Sequence, residues 1–186
     1  MRCFFAIPLS DDAKDYLYYL MNSLKKELKN YNLKIRFTPK KNLHITLMFL
    51  GEIKEDKLEG IKEKVRGINF KPFKFELSKL GVFPNEDIVR VLWIGITPAK
   101  DAIALQKKID ESLLSVIENK DHEFKAHITL ARVKYSKQSS KITLLVKKVN
   151  VKNIKNEINS FGLYRSELHK DGSKYFLLEG FEAKSK

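Results

Sequence analysis

The sequence predicts an α+β protein of two lobes related by a pseudo-twofold. Each lobe is a small antiparallel sheet with helices on its outer face, and an active-site cleft lies between them. Three observations predict this. The tetrapeptide His-Ile-Thr-Leu occurs at 44–47 and again at 127–130. A second pair of related strings, Glu-Leu-Ser-Lys-Leu-Gly-Val-Phe at 76–83 and Glu-Ile-Asn-Ser-Phe-Gly-Leu-Tyr at 157–164, keeps nearly the same spacing. Around both pairs the order helix, His strand, helix, hairpin runs twice, as a duplicated unit would. Residues 1–186 form one bilobal domain in this reading, because no linker or low-complexity run divides them and the length suits one domain.

Each element has a local reason. Met1 to Leu9 is an apolar run that predicts a buried strand, and Ser10 is a helix N-cap. Ala13, Leu17, Leu20, Met21, Leu24 and Leu28 recur at helical spacing on one face. Asn30 to Asn32 ends that helix, and Lys34 to Thr38 forms a short strand stopped by Pro39. The first motif strand spans 43–50 and closes at Gly51. Leu58, Ile61 and Val65 mark a shorter helix with Gly67 at its C-terminal end. Phe73 to Phe83 and Ile88 to Ile96 are strands flanking the turn Pro84-Asn85-Glu86-Asp87, a hairpin signal.

The second half follows the same plan. Pro98 suits the first turn of a helix whose apolar face is Ala102, Leu105, Ile109, Leu113 and Val116. A polar loop covers 119–125, and the second motif strand spans 126–133. Ile142, Leu145, Val146 and Val149 mark a helix. Glu157 to Glu167 and Tyr175 to Phe181 are strands around the turn His169-Lys170-Asp171-Gly172, and 182–186 is a solvated tail.

Composition bounds the function classes. Thirty-six Lys and Arg against 23 Asp and Glu give a net charge of +13, which attracts phosphate backbones. A Lys-rich solvated surface explains the same number, so charge alone does not name a partner. Cys3 is the one cysteine; it allows no internal disulfide and suits a reducing compartment. The N-terminal apolar run is broken by Pro8 and followed by Asp11 and Asp12, unlike a secretory leader. No run reaches the length of a membrane span. A cytoplasmic monomer is expected, without membrane contact.

The repeated motif carries the chemistry. Strand side chains alternate, so His44 and Thr46 share one face while Ile45 and Leu47 enter the apolar layer; His127 and Thr129 relate to Ile128 and Leu130 in the same way. Twofold symmetry then brings two His and two Thr to one cleft. Phosphodiester cleavage in line needs a base for the entering oxygen and an acid for the departing one. Histidine serves either role near neutral pH. Threonine hydroxyls donate to the non-bridging oxygens where charge develops. One such His in a strand is more often a satisfied polar residue, and Thr favours strands anyway; the paired copies are what favour catalysis. Catalytic His44 and His127, with Thr46, Thr129 and Arg132 binding the phosphate, are the expected site.

Arg132 lies five residues after His127, so strict alternation turns it away and only a bulge or strand end brings it back. Its guanidinium matches phosphate geometry. Arg165 is a weaker candidate, and His122 and His169 sit in polar loop sequence as bystanders. There is no P-loop, nucleophile elbow or dinucleotide fingerprint. Without convergent Cys or carboxylate spacing, neither metal nor cofactor is expected.

At these residues the chain resembles the 2H phosphoesterases, in the bacterial and archaeal branch of 2′–5′ RNA ligases and RNA 2′,3′-cyclic phosphodiesterases. The matching strings are 2–9, 43–47 with 49–52, 81–84, 91–93, 127–133 and 163–168, in order along almost the whole chain. One departure is Ala126, where many relatives carry Pro. The resemblance implies the bilobal fold and hydrolysis of an RNA 2′,3′-cyclic phosphate end, tRNA fragments among the candidates, to a 2′-phosphomonoester. It implies His44 as acid to the departing 3′ oxygen and His127 as base for water, with ATP-independent 2′–5′ ligation as the reverse reaction. The symmetric residues alone do not distinguish acid from base. Two alternatives stand beside it: the same site acting on 2′–5′ oligoadenylate or small cyclic nucleotides, and a non-catalytic RNA-binding module.

Overall fold

The computed structural model describes residues 1–117, 124–170 and 172–184. Its elements are β1 (Arg2–Pro8), α1 (Asp11–Leu28), β2 (Leu33–Phe37), β3 (His44–Glu52), α2 (Glu55–Arg66), β4 (Phe73–Pro84) and β5 (Val89–Thr97). There follow α3 (Lys100–Leu113), β6 (His127–Ser136), α4 (Ser139–Lys148), β7 (Lys155–Ile158), β8 (Ser160–His169) and β9 (Gly172–Glu182). A single 3-10 turn, Lys40–Asn42, precedes β3. Among the described residues no helix is long and apolar enough to cross a membrane.

The helices form where apolar spacing and caps coincide. In α1, Ala13, Leu17, Leu20, Met21, Leu24 and Leu28 are the buried positions, the same six that the spacing picks out. Ser10 caps it by accepting from the Ala13 N–H at 3.2 Å, and Asp11 and Asp12 in its first turn favour the positive dipole end. Burying each large aliphatic side chain stabilises by roughly 1.5–3 kcal/mol, which outweighs the weak helix signal of its charged face. Gly67 ends α2 with φ −71°, an ordinary right-handed conformation. Pro98 precedes α3 rather than filling its first turn, with Ala99 at the N-cap position. Val116 lies past the end of that helix, where it packs half-buried on the core.

The strands form one curled, antiparallel sheet in the order β7-β4-β5-β6-β3-β1-β8-β9, with β2 also on β6. The motif strands run slightly past their expected limits, as His44–Glu52 and His127–Ser136 rather than 43–50 and 126–133. The strand expected over 157–167 is two strands, β7 and β8, interrupted at Asn159. The break lets β7 pair with β4 while β8 pairs with β1 and β9. In the first copy, β4 carries an irregularity at the matching place, between Leu77 and Leu80.

Pairing places the pseudo-twofold. Ile45 pairs with Ile128, the same position of the two motifs, and this is the single bridge between β3 and β6. Phe75 pairs with Asn156, the same position under the second alignment. Equivalent residues meet each other on a twofold axis, so the axis passes through both bridges. The duplicated units do not each build a lobe, however. The β4–β5 hairpin follows β3 in sequence but lies beside β6, the other copy's His strand. The β8–β9 hairpin follows β6 but reaches β3 through β1. Each lobe therefore contains both halves. Ile45, Leu47, Ile128 and Leu130 point into the shared core with the apolar helix faces, each no more than 3% exposed.

Candidate active site

With the aliphatic pair buried on one side, His44 and Thr46 face the other, and so do His127 and Thr129; all four are partly exposed. A cavity of about 340 Å3 is lined by His44, Thr46, Thr129 and Arg132, hence by both copies. His127 lies close enough to His44 for its charge to oppose protonation there. The five expected site residues are thus brought to one face.

Arg132 reaches that cavity because β6 bulges. Leu130 and Ala131 are both buried, which breaks alternation and turns Arg132 outward on the His side. The pairing with β5 slips at the same place, between Leu92 and Trp93. The copy in β3 repeats this device. Leu47 and Met48 are both buried, the pairing with β1 slips between Phe5 and Ala6, and Phe49 emerges where the second copy has Arg132. Gly51, at φ +71°, then lets β3 turn through a left-handed position open to glycine at no steric cost.

Both imidazoles are anchored by the same Nδ1 contact. His44 Nδ1 is 2.6 Å from the Asn42 carbonyl, and His127 Nδ1 is 2.6 Å from the Lys125 carbonyl. A carbonyl only accepts, so each Nδ1–H donates, and in the neutral ring the lone pair lies on Nε2. The Thr46 hydroxyl lies 2.9 Å from His44 Nε2 and donates to it. Asn42 is itself fixed, 6% exposed, its amide donating to the Ser173 carbonyl at 2.7 Å.

Aromatic rings wall both imidazoles. Phe4 and Tyr175 lie 5.1 and 5.4 Å from His44, Tyr175 edge-on. Phe83 and Trp93 lie 5.0 and 6.1 Å from His127, stacked on each other. Burial against these walls pushes the pKa of both imidazoles down. The two backbone carbonyls partly oppose this, and the positive charge of Arg132 adds to the lowering. Both rings are therefore held toward the neutral form.

Of the remaining candidates, Arg165 pairs with Glu167 at 2.9 Å and covers Phe176. His169 is exposed beside Glu167, and His122 lies outside the described residues. Among the described residues no group of three or more His, Cys, Asp or Glu is placed to hold a metal ion. Sequence reasoning missed Asn42 and the walls formed by Phe4, Phe83, Trp93 and Tyr175. The carbonyl two residues before each His, at 42 and 125, falls at the motif's own repeat spacing and was the available signal.

Comparison with known proteins gives the family and the fold. The family described as LigT like Phosphoesterase matches the chain twice in succession, over residues 7–93 and 94–175, so the family's own unit is one copy of the duplication. Proteins named RNA 2′,3′-cyclic phosphodiesterase are similar over nearly their full length. The one from Archaeoglobus fulgidus is 33% identical over 98% of this chain and 100% of its own. That from Methanocaldococcus jannaschii is 32% identical over 96% and 99%. Among solved structures, TT0787 of Thermus thermophilus superposes with a TM-score of 0.80 at 26% identity, covering 98% and 97%. E. coli LigT superposes at 0.78 and 22% identity, covering 99% and 98%. The chain belongs to the LigT-like phosphoesterases, the 2H phosphoesterase family.

Proposed function

We propose that the protein is an RNA 2′,3′-cyclic phosphodiesterase that opens the cyclic phosphate to a 2′-phosphomonoester by two-histidine acid/base catalysis. The observation that carries the proposal is the matched pair of imidazoles. Each donates its Nδ1–H to a backbone carbonyl; His44 lines a cavity with two Thr and Arg132, and His127 lies within electrostatic reach of both His44 and Arg132. The names of the full-length relatives favour the same substrate.

The cyclic phosphate sits between the motif strands. Arg132 and the hydroxyls of Thr46 and Thr129 donate to its non-bridging oxygens, where negative charge grows as water adds. The phosphate's charge offsets the burial and the Arg132 field, so one imidazole takes up a proton on Nε2. By family likeness that imidazole is His44. Its Nε2–H then donates, and the Thr46 hydroxyl hydrogen turns to a phosphate oxygen. His127 Nε2 takes a proton from the attacking water as the new P–O bond forms. The P–O3′ bond breaks and His44 protonates O3′, leaving phosphate on O2′. The reverse path joins a cyclic phosphate end to a 5′-hydroxyl in a 2′–5′ linkage without ATP. The test is to incubate the protein in EDTA with a short RNA ending in a 2′,3′-cyclic phosphate and identify the product. A 2′-phosphate is expected; a 3′-phosphate, or no product, overturns the proposal.

A further inference from the structure

A second cavity, of about 350 Å3, adjoins the first. The two share Phe4, Asn42, His44 and Tyr175, so His44 stands at their junction. Their chemistry differs. The first holds the two Thr and Arg132. The second has three lysines from three separate elements, Lys14 of α1, Lys41 of the 3-10 turn and Lys174 of β9, and the rings of Tyr164 and Phe176. No carboxylate lines it among the described residues. Lys14 pairs with the exposed Asp11 at 3.5 Å. Lys41 and Lys174 are exposed and make no ion pair among the described residues. Tyr164 is packed on Phe4 at 5.5 Å and Phe176 lies under Arg165 at 5.0 Å, so both rings are held in place.

The duplication makes this cavity informative. At the His127 imidazole the hairpin supplies the stacked Phe83–Trp93 pair; beside His44 the β8–β9 hairpin supplies Tyr164, Tyr175, Phe176 and Lys174, and α1 and the 3-10 turn add Lys14 and Lys41. The three lysines thus gather on the His44 side of the pseudo-twofold. From a 2′,3′-cyclic phosphate end, the RNA continues only through the 5′ oxygen of the terminal nucleoside. Lysines neutralise a backbone phosphate, and fixed aromatic rings accept a base face of any sequence.

We propose that the Lys14, Lys41 and Lys174 cavity takes the nucleotide immediately upstream of the cyclic end, which makes the preferred substrate an oligonucleotide rather than a free cyclic mononucleotide. This rests on the phosphodiesterase reading of the first cavity. Two filled cavities recognise two consecutive nucleotides without reading their sequence; a mononucleotide fills one.

The experiment compares kcat/KM for 2′,3′-cyclic AMP and for a trinucleotide ending in a 2′,3′-cyclic phosphate. It uses the parent protein, a Lys14→Ala/Lys41→Ala/Lys174→Ala variant, and a control losing equal charge at Lys107, Lys147 and Lys148, which line neither cavity. The parent is expected to prefer the trinucleotide at least tenfold, and its preference shrinks as salt rises. The cavity variant loses that preference to within threefold; the control retains it. Equal parent rates on both substrates, or a cavity variant that keeps the full preference, overturn the proposal. If the parent hydrolyses neither, the phosphodiesterase reading fails, and fluorescence anisotropy with the same trinucleotide decides the cavity separately. Weaker binding in the cavity variant than in the control supports it, and equal binding overturns it.

Discussion

Gly81→Ala tests whether His127 depends on the aromatic wall behind it. Gly81 lies across from Trp93 in the β4–β5 hairpin, and the indole covers it so closely that a Cβ there would stand 2.2, 2.5 and 2.6 Å from Cζ2, Cε2 and Cη2. Ordinary carbon contacts need about 3.5–4 Å, so the ring must move by roughly 1 Å or more. It is confined by Phe83, stacked at 5.0 Å, and by His127. Overpacking of this kind costs about 1–3 kcal/mol, which lowers Tm by roughly 2–12 °C in a chain of this size. A displacement near 1 Å at a catalytic group costs on the order of 10²-fold in rate. The assay is a melting curve and kcat/KM for Gly81→Ala, Trp93→Phe and the double variant. The smaller ring makes room for the methyl, so the double variant is expected to lose less than the sum of the single losses. Unchanged Tm and rate in Gly81→Ala, or strictly additive losses, would refute the reasoning.

Other expectations follow from the same geometry. Thr46→Val and Thr129→Val each remove a donor to the developing charge and are expected to lower kcat on the order of 10²-fold, with Tm nearly unchanged; full activity in both would remove the phosphate role. Burial and the Arg132 charge lower both His pKa values in the free protein. One His must be protonated and the other neutral, so kcat/KM is expected to peak on the acid side of pH 6.5, and kcat, read with the anion bound, at higher pH. A kcat/KM that climbs steadily to pH 9 contradicts paired-histidine catalysis. The same shifts affect stability: below about pH 6.5 the unfolded chain binds protons that the folded chain resists, so stability is lost as pH falls toward the lowered values. His44→Gln is expected to lose less Tm than the parent between pH 7.5 and 5.5. Finally, Asn156, 1% exposed, accepts from the Ser10 N–H and hydroxyl at 3.2 and 2.9 Å. Ser10 is itself exposed, so water takes up its donors, and Asn156→Ala is expected to cost about 0.5–1.5 kcal/mol per lost hydrogen bond in denaturant unfolding; no loss would show that the tie is unimportant.

Much of this arrangement is legible in the residues. Helical spacing gives all six buried positions of α1, and the doubled motif puts His44, Thr46, His127 and Thr129 on one face because strand alternation is local. What is hidden is non-local. The exchange of hairpins between lobes depends on which strands meet, and hydrophobic alternation does not encode a partner. The split at Asn159 is invisible because both fragments remain extended. The bulge that returns Arg132 to the cleft is foreshadowed only by two consecutive apolar residues, Leu130 and Ala131, which repeat as Leu47 and Met48. The role of Asn42 is carried by its main-chain carbonyl and so leaves no side-chain signature.

The central claim is that the two imidazoles act together on a cyclic phosphate, and its most direct test is single-turnover hydrolysis by His44→Ala and His127→Ala. Each variant is run in EDTA beside the parent on a short RNA ending in a 2′,3′-cyclic phosphate, with folding checked by circular dichroism. The account expects a 2′-phosphate from the parent and a loss on the order of 10²–10⁴-fold in each folded variant. Product at the parental rate from either variant would contradict it.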